Sequence, residues 1–529
     1  MNHPGTRSPN ASPGSLPKGT VYTPQAWADW AVDTFGIAES WKRGARILDP
    51  GCGDGALVLA VVRKALQTGF VPRVDDLHRL RCIDRDAAAV ERLRCSAGRM
   101  GVRLPEESTR VADYLLVDPR FSADIVFANP PWTTFADLDE ADKNAYRNLF
   151  RDSGLAPDAQ SLLLGGSRID IAALFVLTAL GRDASPGASG YFFLPASLHR
   201  GEGAHEAFRR LESLAGRPFA LEEYRSLDGG KPFPGAGTRR SFAVYRMGSA
   251  QRWPVPWFTA EGNEAWTRRQ ARPVGRVGSP LVPVLPGKRA VRPPAIPVPE
   301  GTAPRQGANS CGAAAAFILE RIEGAGAGLL EVRGKDGTDG LLPKEFVHPL
   351  LTGGSFSQAE PNSPAPGVPR NSNGPGDPRR WMFLPYHASG RILTEAELRK
   401  HPSAVEWLER YRDALMRRRG VLIRRRISDG YWWALLGVGP YSFAPWKIVW
   451  EAYGRRRFRP LLVRAAQHGF WQGNQAMHAS LSFFDEAAAE KAYTGLSRPE
   501  VEEYLTALGG ADTKGWAQPG RIKRILTIV

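Results

Sequence analysis

Residues 46–55 read RILDPGCGDG. A short apolar run ends in Asp49-Pro50, Gly51, Gly53 and Gly55 follow at every second position, and the helical stretch ALVLAVVRKAL begins at once. Glycines at such a point let the backbone turn tightly and approach a ligand closely. The loop is not a phosphate-binding loop, because no GK[ST] follows. It is not the dinucleotide fingerprint either, because the spacing is GxGxG rather than GxGxxG.

Working outward, further short apolar runs (LRCIDR, ADIVFANP, GYFFLP and SFAVYRM) alternate with helical stretches such as AAVERLRCSAGRM and HEAFRRLESLA. Strands alternating with helices predict an α/β fold, a doubly wound and mainly parallel sheet with helices on both faces. About 30 residues after the glycine loop, Asp84 stands at the end of the next strand, where an acid can take a ribose hydroxyl pair. Asp113, in VADYL, follows the next half-unit.

The strand DIVFA then runs into Asn129-Pro130-Pro131-Trp132. Two prolines stiffen the turn and fix the preceding carbonyls. The side-chain oxygen of Asn129 and the backbone carbonyl oxygen of Pro130 can both accept from one NH2 group. That orients the lone pair of an exocyclic amine without a strong base. The planar face of Trp132 suits stacking on the ring that bears the amine.

DPGCGDG, Asp84, Asp113 and NPPW in this order resemble the amino-methylating DNA methyltransferases. The match is to adenine-N6 enzymes whose catalytic motifs come first and whose target recognition domain comes last, as in the methylase part of fused restriction-modification enzymes. The resemblance implies a Rossmann-like domain that binds S-adenosyl-L-methionine (SAM) and methylates a flipped adenine in double-stranded DNA. It implies cofactor contacts from Tyr22, Thr23, Pro24, Asp49, Gly51, Gly53, Asp84, Asp113 and Asn129, with Asp113 accepting from the cofactor's adenine amino group. RIDIAALFVL (168–177) resembles the helix behind the active site. Phe233, in KPFPGAGTRRSFAVY, matches the aromatic that packs on the flipped base. With no nuclease ahead of these motifs, cleavage is expected from a separate nuclease or defence-system subunit, if it occurs.

The whole chain of 529 residues carries a net charge of +16, with 43% hydrophobic and 23% charged residues, which is ordinary globular composition. Its longest clean apolar run, Ile171 to Leu180, is half of the roughly 20 residues a membrane span needs. The start of the chain is polar and lacks a signal-peptide pattern. A cytoplasmic protein that uses no membrane is expected. Four cysteines without a CxxC or a Cys/His cluster support neither a metal site nor a disulfide scaffold.

Residues 1–20 read as a disordered tail and 21–250 as the methyltransferase domain. Nine prolines between Pro273 and Pro304 make 251–305 a Pro-rich connector. Residues 306–529 read as a basic, mixed α+β recognition domain with a Pro/Gly-rich loop at 353–377. Residues 1–250 have a net charge of +2 and 251–529 a net charge of +14, which suggests chemistry in one half and a polyanion grip in the other. Arginine clusters interleaved with aromatics make Arg424, Arg425, Arg426, Arg455 and Arg456 candidate DNA contacts, together with those at 417–419. Lys447 falls where the family often has a basic residue near DNA.

Two alternatives stay open at this stage. One is methylation of an exocyclic amine in RNA or of cytosine N4 in DNA. The other is a non-catalytic DNA-binding scaffold with a vestigial SAM fold. C5-cytosine methylation is excluded, because that chemistry needs a nucleophilic Cys and the chain has no Pro-Cys pair.

Overall fold

The computed structural model describes residues 21–118, 121–156, 168–201, 203–227, 239–261, 265–284, 291–357, 378–453, 458–465, 469–474, 477–509 and 517–529. The chain forms two compact units, Met1–Ala290 and Val291–Val529. Among the described residues no helix is long and apolar enough to cross a membrane.

In the first unit, β1 (Ile47–Pro50), β2 (Leu80–Asp84), β3 (Thr109–Val111), β4 (Ala123–Ala128) and β5 (Ala184–Pro195) form a parallel block in the order β3-β2-β1-β4-β5. Strand residues alternate between its faces, as a pleated strand requires. Ile125, Phe127, Tyr191 and Phe193 pack into one apolar cluster, and Val126, Ala128, Phe192 and Leu194 into the other. Helices α1 (Gln25–Phe35), α2 (Ile37–Lys42), α3 (Ala56–Gln67), α4 (Val74–His78) and α5 (Ala87–Arg99) all contribute to the first cluster. Helices α6 (Glu140–Asp152) and α7 (Ile171–Thr178) contribute to the second. The doubly wound arrangement expected from the sequence is therefore present.

The sheet is larger and more mixed than expected. Beyond β5 it continues through β8 (Arg240–Met247) and β7 (Arg217–Ser226), then β9 (Val255–Glu261), β10 (Ala265–Pro273) and β11 (Leu281–Val284), while β6 (Ser213–Leu214) pairs with β7. The helix expected over HEAFRRLESLA stops at Arg210. Residues Ala215 and Gly216, both at positive φ, turn the chain into the β6–β7 hairpin instead.

The connector expected at 251–305 is corrected. Residues 255–284 supply three strands of the first unit's sheet, and Ile296–Val298 (β12) belongs to the second unit. Aromatic and cationic side groups explain the recruitment. Trp266 stacks on Trp30 of α1 at 5.3 Å. The guanidinium of Arg225 lies 4.2 Å from the Phe258 ring centre and 5.1 Å from that of Trp266, a cation–π cage that seals β9 and β10 onto the domain. The proline-bearing β11 lies at the edge of the sheet, where a missing N–H is tolerated. With the boundary after Ala290, the net charges of the two units become +7 and +9, so the basic excess is shared.

The second unit is α+β. One antiparallel sheet has the order β16-β15-β14-β18-β17, with β14 (Ile318–Gly326), β15 (Leu329–Gly334), β16 (Asp339–Pro343), β17 (Val347–Pro349) and β18 (Trp381–Phe383). Another has the order β13-β21-β19-β20, with β13 (Arg305–Gln306), β19 (Trp446–Glu451), β20 (Leu461–Arg464) and β21 (His478–Phe483). Strand β12 pairs with β22 (Leu526–Ile528). Buried tryptophans lock helix and loop to sheet: Trp407 donates to the Ala316 carbonyl at 2.9 Å and Trp450 to that of Ala517 at 2.7 Å. Of the expected loop at 353–377, Gly353–Ser357 is a short helix and 358–377 lies outside the described residues.

Candidate active site

The order of the parallel strands reverses between β1 and β4. In doubly wound sheets ligands bind at this switch point, outside the carboxyl ends of the strands. A cavity of about 480 Å3 lies there. It is lined from the end of β1 by Asp49, Gly51 and Gly53, from β2 by Asp84, from β3 by Asp113, and from β4 by Asn129 and Pro131. Tyr22 and Thr23 also line it. Nine of the sequence-predicted residues thus meet in one place.

The glycine loop is built on β2. Gly51 and Cys52 donate to the Ile83 carbonyl at 2.7 and 3.0 Å, and Gly53 donates to Asp84 Oδ2 at 2.7 Å. Asp84 Oδ1 accepts from the Asp86 amide at 2.9 Å. The acid at the end of β2 therefore holds the loop as well as facing the cavity. Gly55 has φ +85°, and a Cβ there would fall 2.2 Å from Leu93 Cδ1, so this glycine serves the close approach of the loop to α5.

Asp49 is 2% exposed, and neither of its carboxylate oxygens has a hydrogen-bond partner. Burial, with Asp84 and Asp54 nearby, pushes its carboxyl well above the ordinary range. Asp113 is held by the Leu115 amide at 3.0 Å and by the Tyr146 hydroxyl, which donates to Oδ2. Eight aspartates line the cavity against one arginine, Arg85, which bridges Asp142 at 2.9 Å. Among the described residues no group of His, Cys, Asp or Glu is arranged to hold a metal ion. An acidic cavity with an orphaned buried carboxylate suits an organic cation and repels a polyphosphate.

Asn129 has a fixed orientation. Its Nδ2 donates to the Val21 carbonyl and to Thr23 Oγ1, both at 2.9 Å. A carbonyl can only accept, so the amide nitrogen must face Val21 and Oδ1 must face the other way. Oδ1 is buried and has no partner. The loop after it is pinned to the start of α7: Ile171 donates to the Thr133 carbonyl at 2.9 Å and Phe135 to that of Ile169 at 2.8 Å. Asp170 caps α7 through the Ala172 amide, and its burial raises the carboxyl to about 7.

Other expected residues fall elsewhere. Pro24 caps α1, and Pro24, Pro130 and Trp132 do not line the cavity. Trp132 is half-buried against the cluster of α1, α3 and α5. Phe233, Arg455 and Arg456 lie outside the described residues. The acids contributed by Asp137, Asp139 and Asp142, and the role of Tyr146, went unforeseen. Their signal was the run DLDEAD (137–142), four residues after the NPPW segment.

In the second unit Arg424, Arg425 and Arg426 are exposed on the helix Val421–Ser428. Lys447 is corrected: it is 4% exposed, and its ammonium donates to the carbonyls of Ser442 at 2.7 Å and Trp471 at 2.6 Å. Burial lowers its pKa to about 7. It is committed to a turn inside the unit rather than presented at the surface. Arg418, in the 417–419 cluster, is also internal, donating to the carbonyls of Leu415, Ser310, Ala434 and Trp432.

No protein-family model and no curated sequence matches the chain. Solved structures do. The chain is similar to the type IIL restriction-modification enzyme MmeI in complex with DNA, with a TM-score of 0.50 and 12% identity, over 87% of this chain and 60% of that one. Weaker similarity is found to a putative class I S-adenosylmethionine-dependent methyltransferase from Listeria monocytogenes (TM-score 0.34, 16% identity, 45% of this chain and 65% of that one). A modification subunit of a putative type I restriction enzyme from Vibrio vulnificus gives a TM-score of 0.34 at 12% identity, over 51% of this chain and 60% of that one. The chain thus spans about 60% of the length of MmeI, and at this identity the likeness is one of fold.

Proposed function

We propose that the chain is a SAM-dependent DNA methyltransferase that modifies the exocyclic N6 of an adenine flipped out of a specific duplex sequence, in a restriction-modification or phage-defence setting. The observation that carries the reading is the Asn129 carbonyl oxygen, buried, unpartnered and held in one orientation beside an acid-lined cavity at the switch point of the sheet. The likeness in fold to a restriction-modification enzyme solved with DNA supports the same reading.

The residues fit the cofactor. Asp49 offers an unpaired carboxylate to an ammonium group, Asp84 keeps lone pairs for ribose hydroxyls, and Asp113 offers an acceptor beside the place for an adenine amine. A polyphosphate cofactor would meet eight aspartates, whereas SAM carries a sulfonium and an ammonium. When bound, SAM supplies an electrophilic methyl group. Asn129 Oδ1 accepts one hydrogen of the target amine, and the Pro130 carbonyl, set back from the cavity in this structure, is the second acceptor the sequence motif implies, which turns the lone pair towards that methyl. Val21 and Thr23 keep Asn129 from rotating its own NH2 into that place. No general base is needed, because the surplus proton leaves after transfer. The second unit, with its exposed arginines, grips and reads the duplex.

The test is to incubate the full-length protein with methyl-labelled SAM and, separately, duplex DNA, RNA and protein acceptors. Label in DNA supports the reading. Label confined to RNA or protein, or no SAM binding by calorimetry, refutes it.

A further inference from the structure

Two exposed large apolar side chains lie within an arginine-rich segment of the second unit. Val421 and Leu422 are 86% and 68% exposed, and Met416 beside them is 42% exposed. Val421 is the most exposed large apolar residue among those described. The segment 417–428, RRRGVLIRRRIS, holds six arginines and no acid. Five of the six arginines are exposed. Among the described residues Arg419, Arg424, Arg425 and Arg426 have no carboxylate within ion-pair distance, and Arg417 makes only an exposed contact with Asp413 at 3.4 Å.

This segment has a rigid base. Arg418 is buried and donates to four backbone carbonyls, and Ile423, fully buried, roots the helix Val421–Ser428. Gly420, at φ +115°, lies between the two anchors and directly precedes the exposed Val421 and Leu422. An exposed apolar pair on a fixed base, flanked in sequence by arginines of which four lack a carboxylate partner among the described residues, matches an apolar stack of rings flanked by two rows of phosphates.

Resting on the reading of the chain as a DNA methyltransferase, we infer that Val421 and Leu422 form a wedge that enters the duplex between neighbouring base pairs, while the surrounding arginines take the flanking phosphates. Aliphatic wedges of this kind partly unstack a step and kink the helix, at a cost offset by the contacts the deformed DNA then makes. Two side chains are too small a patch for a stable protein interface, which buries on the order of 1,000 Å2 or more. The charge of the rim selects a polyanion.

The experiment uses the full-length protein and the double variant Val421→Ala/Leu422→Ala, with Leu422→Phe as a second variant that keeps a bulky apolar group. A short duplex labelled at both ends reports bending by energy transfer, and internal 2-aminopurine reports unstacking. The wedge predicts that the double variant loses both signals and binds duplex about 10-fold more weakly, the scale of removing a leucine-sized apolar contact. Its salt dependence should be unchanged, because the phosphate contacts remain. Leu422→Phe should retain the signals. Unchanged bending and affinity in the double variant overturn the wedge and leave the DNA reading standing. So does selective loss of binding to phosphatidylglycerol vesicles with DNA binding intact, which would assign the apolar pair to a lipid surface. If the wild-type protein binds no duplex at all, the DNA reading falls and the wedge with it.

Discussion

Thr23 Oγ1 accepts a hydrogen bond from Asn129 Nδ2 at 2.9 Å, across 106 positions of sequence. With the Val21 carbonyl it occupies both hydrogens of that amide. The segment ahead of the glycine loop thus both lines the cavity and fixes the Asn129 amide; under the proposed function, that decides which of its atoms a target amine would meet.

Removing Asn129 should therefore remove the acceptor without removing the cofactor. Asn129→Ala is expected to lower methyl transfer by on the order of 10²-fold or more, the scale of losing one preorganised polar contact. SAM affinity should stay nearly unchanged by calorimetry. Thr23→Val, which leaves one of the two tethers, should lower turnover by less. Wild-type turnover in Asn129→Ala excludes this loop from the chemistry.

Asp49 predicts a pH dependence. Its folded pKa lies above the unfolded value of about 3.9. The stability it contributes is therefore fully present below that unfolded value and is lost as pH rises through the folded pKa. Above the raised pKa the ligand-free protein carries a buried charge, so Asp49→Asn should raise its thermal midpoint there. A cationic ligand needs the ionised carboxylate, so SAM affinity should rise with pH through the raised pKa. Asp49→Asn should flatten that rise and weaken binding by about 1.5–3 kcal/mol, the scale of a charged hydrogen bond. Calorimetry across pH on both proteins checks the sign.

Asp84 has two duties, and two substitutions separate them. Asp84→Ala should weaken SAM binding by roughly 1.5–3 kcal/mol and also release the Gly53 amide it holds at 2.7 Å. Asp84→Asn keeps one oxygen acceptor for that amide and should lose less affinity. Unchanged affinity in Asp84→Ala would show that this acid only braces the loop.

Much of this site was legible because its chemistry is local in sequence. The glycine loop, Asp84, Asp113 and Asn129 each follow a strand, and a parallel sheet brings successive strand ends to one edge. What escaped was set by tertiary context. The prolines after residue 251 argued for an open connector, yet Trp266 and the Arg225 cage draw Val255–Glu261 and Ala265–Pro273 into the sheet, with proline-bearing Leu281–Val284 at its edge. Lys447 was a candidate DNA contact through the family resemblance, and its burial could not be read from the sequence, because its carbonyl partners lie 5 and 24 residues away.

The buried Lys447 gives a prediction of the opposite sign to Asp49. Its folded pKa of about 7 lies below the unfolded value of about 10.4. The stability it contributes is present above that unfolded value and is lost as pH falls towards 7. Lys447→Met should flatten this dependence in thermal melts, with DNA affinity unchanged. A loss of DNA affinity without a change in melting behaviour would restore a contact role to this lysine.

Arg424, Arg425 and Arg426 test the grip. Replacing all three with Ala should weaken binding to every duplex, if they touch phosphate, and should reduce the salt slope by about 0.9 for each phosphate they neutralise. If they read bases, sequence choice should relax instead. Cognate and random duplexes titrated across salt concentrations distinguish the two outcomes. An unchanged affinity and slope would take this helix out of the interface.

Under the proposed function, Asn129 Oδ1 orients an adenine amine of duplex DNA towards the methyl group that SAM would supply in the acid-lined cavity. The most direct measurement is digestion of duplex DNA to nucleosides after incubation with labelled SAM and either the wild-type protein or Asn129→Ala, followed by mass analysis. The wild-type protein should place label in N6-methyl-2′-deoxyadenosine, and Asn129→Ala should lose nearly all of it. Label in N4-methylcytosine, or equal adenine labelling by both proteins, would contradict it.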